Sequence, residues 1–333
     1  KALQIKKELG DKMSIPSSYL NIGNVYDDQG NYSKALEYFI KALEIYKTTN
    51  DKTGMTLCYN NIGNIYIMQS QYIKAIEYYQ KSLEINEDID DKKGIAYAYN
   101  NISNVYRDQG KYGKAKKYYH KSLKIFEETV YRKDRAAVYG NIAGLHITIA
   151  DSLMDKEEND LMIKTISINL DTAIQYGKKS YDLALEIDIL SEQNDASAHL
   201  QKAYWGDNKT DSANFFFSVQ NNLNNKDILM NFSFISEKEK ENYFKTINQD
   251  YWRLNSFALD YKDVYPAILE TVYNNTIKNK GLLLKSSTAM RNAVYSSNDT
   301  LLIDNYDKWI SLKKQIAKKY SNGEDTKELE DRA

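Results

Sequence analysis

Hydrophobic and polar positions recur along the chain with the spacing of helices. Over residues 52–69 the apolar positions include Tyr59, Ile62 and Tyr66, three and four residues apart, which places them on one helical face. A second stripe with the same spacing follows over residues 73–88. The pattern predicts two consecutive helices joined by a short turn.

The helix pair returns with a period of 40 residues. The stretch "NNIGNIYIMQSQYIKAIEYYQKSLEI" at residues 60–85 reappears as "NNISNVYRDQGKYGKAKKYYHKSLKI" at 100–125 and as "LNIGNVYDDQGNYSKALEYFIKALEI" at 20–45. Residues 1–12 match residues 41–52, so we expect the natural N-terminus to lie further upstream. A repeated helix pair of this length predicts a solenoid.

The repeat continues less regularly beyond residue 130. An insertion of 18 residues, "DSLMDKEENDLMIKTISI", lengthens the fourth unit before the period is regained. We expect the insertion to extend both helices of that unit and their connection. The predicted organisation is an array over residues 1–227 followed by a helical segment over 228–333. After a partial first unit, the units of the array fall near residues 13–50, 51–90, 91–130, 131–187 and 188–227.

Small and aromatic residues stand at fixed offsets within each unit. In the second unit they are Tyr59, Ile62, Gly63, Tyr66, Ala75, Tyr79 and Ser82. This pattern resembles the tetratricopeptide repeat (TPR), with helices lengthened to give 40 residues rather than the usual 34. The resemblance implies an all-α fold, a right-handed superhelix of paired helices, and a role in binding proteins rather than in catalysis. We interpret most of the 29 tyrosines as core residues of this repeat.

Asparagine recurs at the same places of each first helix. In TPR folds the first helix of each unit lines the concave face, and the resemblance therefore implies an amide ladder along a groove. The candidate groove residues are Asn21, Asn24, Asn60, Asn61, Asn64, Asn100, Asn101, Asn104, Arg107 and Asn141. An amide both donates and accepts hydrogen bonds, so the ladder suits the backbone of an extended partner peptide. The alternative is that the amides join neighbouring helices and complete the repeat's own hydrogen bonds, and both can hold for different members.

The charges of this predicted groove indicate which peptide it suits. Arg107 is the one cation that the pattern places there, near Asp27, Asp28 and Asp108. A groove that captures a C-terminal carboxylate needs several Lys or Arg residues. The sequence therefore favours a peptide of mixed or basic character.

Composition narrows the remaining function classes. The 45 basic and 46 acidic residues balance, which argues against direct nucleic-acid binding. No apolar run reaches the length of a membrane span, and a single cysteine, Cys58, fits a reducing, cytoplasmic location. His120, His146 and His199 lack metal-ligand spacing, and Cys58 lies within a regular repeat. We therefore expect no catalytic residue, metal or cofactor, and a core role for His146.

The segment after residue 228 carries a second resemblance. Its stretches "FISEKEKENYF" at 234–244, "NKGLLLKSSTAMRNAV" at 279–294 and "YDKWISLKKQIAKKY" at 306–320 are similar to the linker before the peptidase of CHAT proteins. These are caspase-like cysteine peptidases with TPR arrays, several of them in bacterial defence. The resemblance implies that the array controls an attached peptidase encoded beyond Ala333. Two alternatives remain: the sensor region of a histidine kinase or transcription regulator, and a free-standing assembly scaffold.

Overall fold

The computed structural model describes residues 14–154, 159–232, 294–296 and 300–321. The chain divides into two compact units, Lys1–Leu229 and Met230–Ala333. The regular elements of the described residues are helices, which confirms the predicted all-α fold. They are α1 (Ile15–Asp28), α2 (Tyr32–Thr48), α3 (Lys52–Met68), α4 (Tyr72–Asp88), α5 (Lys92–Asp108), α6 (Tyr112–Glu127), α7 (Arg132–Met154), α8 (Asp160–Glu186), α9 (Leu190–Gly206), α10 (Thr210–Phe232) and α11 (Thr300–Ser321).

The period of 40 residues consists of two equal halves. Each half is a helix of about 17 residues followed by a residue with positive φ. These left-handed positions are Gly30, Asn50, Ser70, Asp90 and Gly110, with φ between 53° and 72°. At each turn the next N–H donates to a carbonyl five residues back, as in the bond from Asp51 to Tyr46. This is the Schellman arrangement, and it stops each helix at the same length.

The residue that closes one helix also begins the next. The backbone N–H of Asp51 completes the end of α2, and its side chain accepts from the N–H of Gly54 at 2.8 Å, which caps α3. Asp91 repeats this arrangement between α4 and α5, with 3.0 Å to the N–H of Gly94. Such a cap stabilises a helix by about 1 kcal/mol.

The insertion lengthens the fourth helix pair, as predicted. Helix α7 has 23 residues and α8 has 27, compared with 17 in each helix of the second unit. Helices α9 and α10 then continue the array beyond the insertion. The subdivision into the units given above remains a proposal.

A buried aromatic ring fills the space inside each helix pair. Phe39, Tyr79 and Tyr119 are fully buried on the second helices. A Cβ added to Gly63 would lie 2.6 Å from the Tyr79 ring, so the glycine makes room for that ring. The group that comes closest to Gly63 is thus the Tyr79 side chain of the paired helix.

Helices pack in chain order, and the two classes of helix differ in their spacing. The backbones of the first helices α1, α3, α5 and α7 each also approach that of the next first helix, whereas the backbones of α2, α4 and α6 approach only those of their neighbours in sequence. In this part of the array the backbones of successive first helices therefore lie closer together than those of successive second helices.

The C-terminal predictions fall mainly outside the described residues. Within the helical segment predicted over residues 228–333, the structure describes α11 as a helix. Apart from residues 228–232, 294–296 and 300–321, that segment lies outside the described residues. Within the described part of the chain, no helix is long and apolar enough to cross a membrane.

Candidate protein-interaction surface

Each first helix carries a stripe of four side chains spaced at i, i+4, i+7 and i+11, which lie on one helical face. The two middle positions of each stripe are asparagines. We call these three stripes together the amide surface. Its members are Ser17, Asn21, Asn24 and Asp28 on α1; Leu57, Asn61, Asn64 and Met68 on α3; and Tyr97, Asn101, Asn104 and Asp108 on α5.

The amide surface is accessible to solvent along its length. Asn21, Asn24 and Asn64 are exposed, and Asn61 and Asn101 are half-buried. Its side chains thus remain available to a partner.

Two of the amides also bond the core of their own unit. The hydroxyl of Tyr79 donates to Oδ1 of Asn64, and the hydroxyl of Tyr119 donates to Oδ1 of Asn104. The first unit has Phe39 at this place, so Asn24 receives no such bond. The Nδ2 groups of Asn64 and Asn104 are not used in these bonds.

Other amides join neighbouring units. Nδ2 of Asn61 donates to Oδ1 of Asn24 at 3.4 Å, and Nδ2 of Asn141 donates to Oδ1 of Asn100 at 2.9 Å. Oδ1 of Asn60 is shielded from solvent and has no hydrogen-bond partner among the described residues. Asn60, Asn100 and Asn141 therefore lie between helices more than on the open face.

Two amides of the surface form no side-chain hydrogen bond within the described part of the chain. They are the side chains of Asn21 on α1 and Asn101 on α5. Each keeps one acceptor and two donor hydrogens for another molecule. These are the strongest binding candidates on the face.

The ends of the stripes differ in charge and polarity. At the C-terminal ends of α1 and α5 stand Asp28 and Asp108, while Leu57 and Tyr97 occupy the N-terminal ends of α3 and α5. Burial, together with the charge of Asp28, raises the pKa of Asp27 above its usual value. Arg107 pairs with its neighbour Asp108, with 3.0 Å between Nη2 and Oδ1. The expected proximity of Arg107 to Asp27 and Asp28 is not seen as an ion pair among the described residues.

The tyrosines form a feature that sequence reasoning missed. Tyr38 lies between two other rings, with centroids 5.9 Å from Tyr19 and 5.6 Å from Tyr26. The second and third units repeat the triad with Tyr59, Tyr78 and Tyr66, and with Tyr99, Tyr118 and Tyr106. Most of these rings are half-buried, and several of them, such as Tyr66 and Tyr78, pack against the buried core, which agrees with their interpretation as core residues of the repeat. The signal was present, since lysines recur with the same period beside the rings.

Cys58 and His146, two of the residues considered for catalysis or metal binding, are enclosed by the repeat packing. Cys58 is fully buried, and burial raises the pKa of its thiol to about 12, so that it stays protonated at neutral pH. His146 is buried, with Nδ1 2.7 Å from Oδ1 of Asn169, and burial lowers its pKa. Among the residues that the structure describes, no cluster of three His, Cys, Asp or Glu side chains is placed to hold a metal ion.

Comparison with known proteins agrees with this architecture. The family model "Tetratricopeptide repeat" matches residues 14–88, 53–128 and 94–152. The crystal structure of BtubC (BKLC) from P. vanneervenii is similar at a TM-score of 0.54 and 16% identity, over 66% of this chain and 86% of that one. The apo form of RapI is similar at a TM-score of 0.51 and 16% identity, over 85% of this chain and 91% of that one. At these identities the likeness shows the fold alone. No curated protein sequence matches the chain.

Proposed function

Because residues 14–152 carry tetratricopeptide repeats, we propose that the chain is a non-catalytic protein-interaction module whose amide surface binds an extended segment of a partner protein. The observation that carries this proposal is the pair of asparagines at equivalent places on three successive first helices. Asparagine lowers helix propensity by several tenths of a kcal/mol, so its repetition opposes local stability.

The stacking of the helices supports a groove over the amide surface. The backbones of successive first helices approach one another more closely than those of successive second helices do, which favours a groove on the side that carries the asparagines. A segment running across α1, α3 and α5 meets one amide pair per unit. An extended backbone presents its own N–H and C=O groups to both sides and can pair with such amides whatever its sequence.

The amides divide into three groups by their present contacts. Asn21, Asn24, Asn61 and Asn101 bind the partner backbone, because their hydrogen bonds within the described residues are absent or as long as 3.4 Å. Asn64 and Asn104 contribute their Nδ2 donors while their oxygens hold Tyr79 and Tyr119. Asn60, Asn100 and Asn141 support the spacing of the first helices.

The residues at the ends of the stripes indicate which types of side chain the partner segment should carry. Asp27 and Asp28 favour basic residues along one side of the bound segment, whereas the charge of Asp108 is already paired with Arg107. Leu57 and Tyr97 are 51% and 37% exposed and favour apolar residues along the other side. The partner is accordingly a segment of mixed or basic character.

Peptide binding by the amide surface is tested by selecting peptides and measuring their affinities for two double variants. A random peptide library is panned against the full chain, and the affinity of the selected peptides is measured by calorimetry. The double variant Asn61→Ala/Asn101→Ala should bind these peptides roughly tenfold to a hundredfold more weakly, since each hydrogen bond contributes about 1 kcal/mol.

The control removes two amides from the opposite helices. Gln80 and Gln175 are exposed on α4 and α8, and Gln80→Ala/Gln175→Ala should leave the affinity unchanged. Selected peptides that bind both double variants with wild-type affinity would refute the role of the amide surface.

The process that partner binding controls is inferred from the sequence resemblance of the C-terminal segment to CHAT proteins. On that basis we propose that partner binding controls an attached caspase-like cysteine peptidase in the cytoplasm, in the setting of bacterial defence. The coding sequence after Ala333 tests this directly. It should encode a domain with the His and Cys of a caspase-like site; a histidine kinase, a regulator domain or an early stop codon would contradict it.

A further inference from the structure

Helix α6 differs sharply in charge from its counterparts in the two preceding units. It carries Lys114, Lys116, Lys117, Lys121 and Lys124 against a single acid, Glu127. The equivalent α4 has two lysines and four acids over 17 residues. The repeat itself therefore does not require the basic character of α6.

The change occurs at positions that are acidic elsewhere in the array. Lys117 stands where the earlier units have Glu37 and Glu77, and Lys124 stands where they have Glu44 and Glu84. In the first unit Glu37 pairs with Lys41. In α6 the same i, i+4 pair is Lys117 and Lys121, which repel by about 0.2–0.5 kcal/mol. The third unit thus lacks the favourable Glu–Lys pair found in the first unit. This indicates that its lysines serve a purpose other than folding.

The basic side chains continue onto α8. The ring of Tyr176 lies 6.4 Å from that of His120 on α6, and Nζ of Lys179 lies 5.2 Å from the Tyr176 centroid. Lys178 precedes it and is exposed. We call Lys114, Lys116, Lys117, Lys121, Lys124, Lys178 and Lys179 the basic patch. Among the described residues, none of these seven lysines forms an ion pair.

Aromatic rings hold part of the basic patch in place. Nζ of Lys121 lies 4.8 Å from the centroid of Tyr99 and 5.3 Å from that of Tyr118. Nζ of Lys114 lies 5.3 Å from the centroid of Tyr106. Such contacts fix the ammonium groups over the rings, so less side-chain freedom is lost when an anion binds.

We propose that the basic patch is a second interaction surface and that it binds an acidic, Asp- and Glu-rich segment of a partner protein. The patch belongs to the second helices and is separate from the amide surface. Unpaired lysines attract carboxylates and speed their association. A membrane surface fits less well, since none of the large apolar residues exposed in the described structure lies on α6 to insert into lipid. Nucleic acid fits less well because the chain has 45 basic and 46 acidic residues.

The experiment uses the full chain and a labelled poly-glutamate peptide, with fluorescence anisotropy as the readout. The wild type should bind the peptide with an affinity that falls as salt is raised. The variant Lys117→Glu/Lys124→Glu restores the residues of the earlier units, so it should fold and melt at or above the wild-type temperature. Its affinity for the peptide should fall about tenfold or more.

The matched control is Lys34→Glu/Lys47→Glu on α2, which changes the net charge equally and should leave binding within about twofold. An equal loss in both variants would mean a general charge effect and would overturn the proposal. So would an absence of peptide binding, or tighter patch-dependent binding to phosphatidylserine vesicles or single-stranded DNA. Asn61→Ala/Asn101→Ala should leave poly-glutamate binding intact, which separates this result from the test of the amide surface.

Discussion

The hydroxyl of the buried Tyr79 donates a hydrogen bond to Oδ1 of Asn64, a residue of the amide surface. Tyr119 and Asn104 form the same pair one unit later. In these units the ring that fills the core also holds a surface amide in a fixed position. The bond links the packing of the repeat to the face on which we propose the partner binds.

Replacing Tyr79 with phenylalanine should remove this bond while keeping the ring. The first unit already has Phe39 at this position, so the phenyl ring fits the space. We expect Tyr79→Phe to lower the free energy of unfolding by about 1 kcal/mol, measured by urea denaturation. Peptide binding should not weaken, because Oδ1 of Asn64 becomes available.

The control for this variant lies on the same helix. Tyr72 is half-buried, and its hydroxyl has no hydrogen-bond partner among the described residues. Tyr72→Phe should leave the free energy of unfolding nearly unchanged. An equal loss in both variants would show that the bond to Asn64 contributes nothing to stability.

Asn86 occupies a position that the neighbouring units fill with aromatic rings. It is 1% exposed, its Oδ1 has no hydrogen-bond partner among the described residues, and its equivalents are Tyr46 and Phe126. Gly94 faces Asn86 as Gly54 faces Tyr46, so the glycine that lies against the ring in the first unit is also present in the second.

Asn86→Tyr should therefore raise the free energy of unfolding by about 1–2 kcal/mol, because a buried oxygen without a partner is removed and apolar area is buried. Thermal and urea denaturation measure the change. A destabilised Asn86→Tyr would show that the second unit is packed differently from the first.

The buried His146 should make stability depend on pH. Burial lowers its pKa below the value of about 6.5 expected in the unfolded chain. Below about pH 6.5 the imidazole of His146 is therefore protonated in the unfolded chain while it stays neutral in the folded protein. As a result, the free energy of unfolding decreases as the pH falls below about 6.5. Urea denaturation between pH 7.5 and 5.5 should show this fall.

Two variants assign that pH dependence to its source. His146→Gln should flatten the slope, whereas His120→Gln, at an exposed histidine, should preserve it. If the slope persists in His146→Gln, other groups are responsible.

The parts of the molecule that the sequence predicted well are those set by repetition. The bounds of α3 and α4 were predicted to within one residue, because caps such as Asp51 and a left-handed residue every 20 positions mark the helix ends. Helix α8 was harder, since the insertion removes the period as a guide.

The candidate site was predicted less completely than the fold. Spacing predicted which face carries Asn61 and Asn101 but not which amides are engaged within the protein. That depends on single atoms in the partner helix, such as the hydroxyl that separates Tyr79 from Phe39. The basic patch was missed because the charges of the whole chain balance and conceal the difference between α4 and α6.

The most direct test of the amide surface observes the asparagine side chains themselves. Their Nδ2 resonances are recorded by NMR with and without a selected partner peptide, and are assigned with single Asn→Ala variants. We expect the signals of Asn21, Asn61 and Asn101 to shift while those of the exposed Gln80 and Gln175 stay in place. Shifts confined to the second helices, with the signals of those three asparagines unchanged, would contradict this expectation.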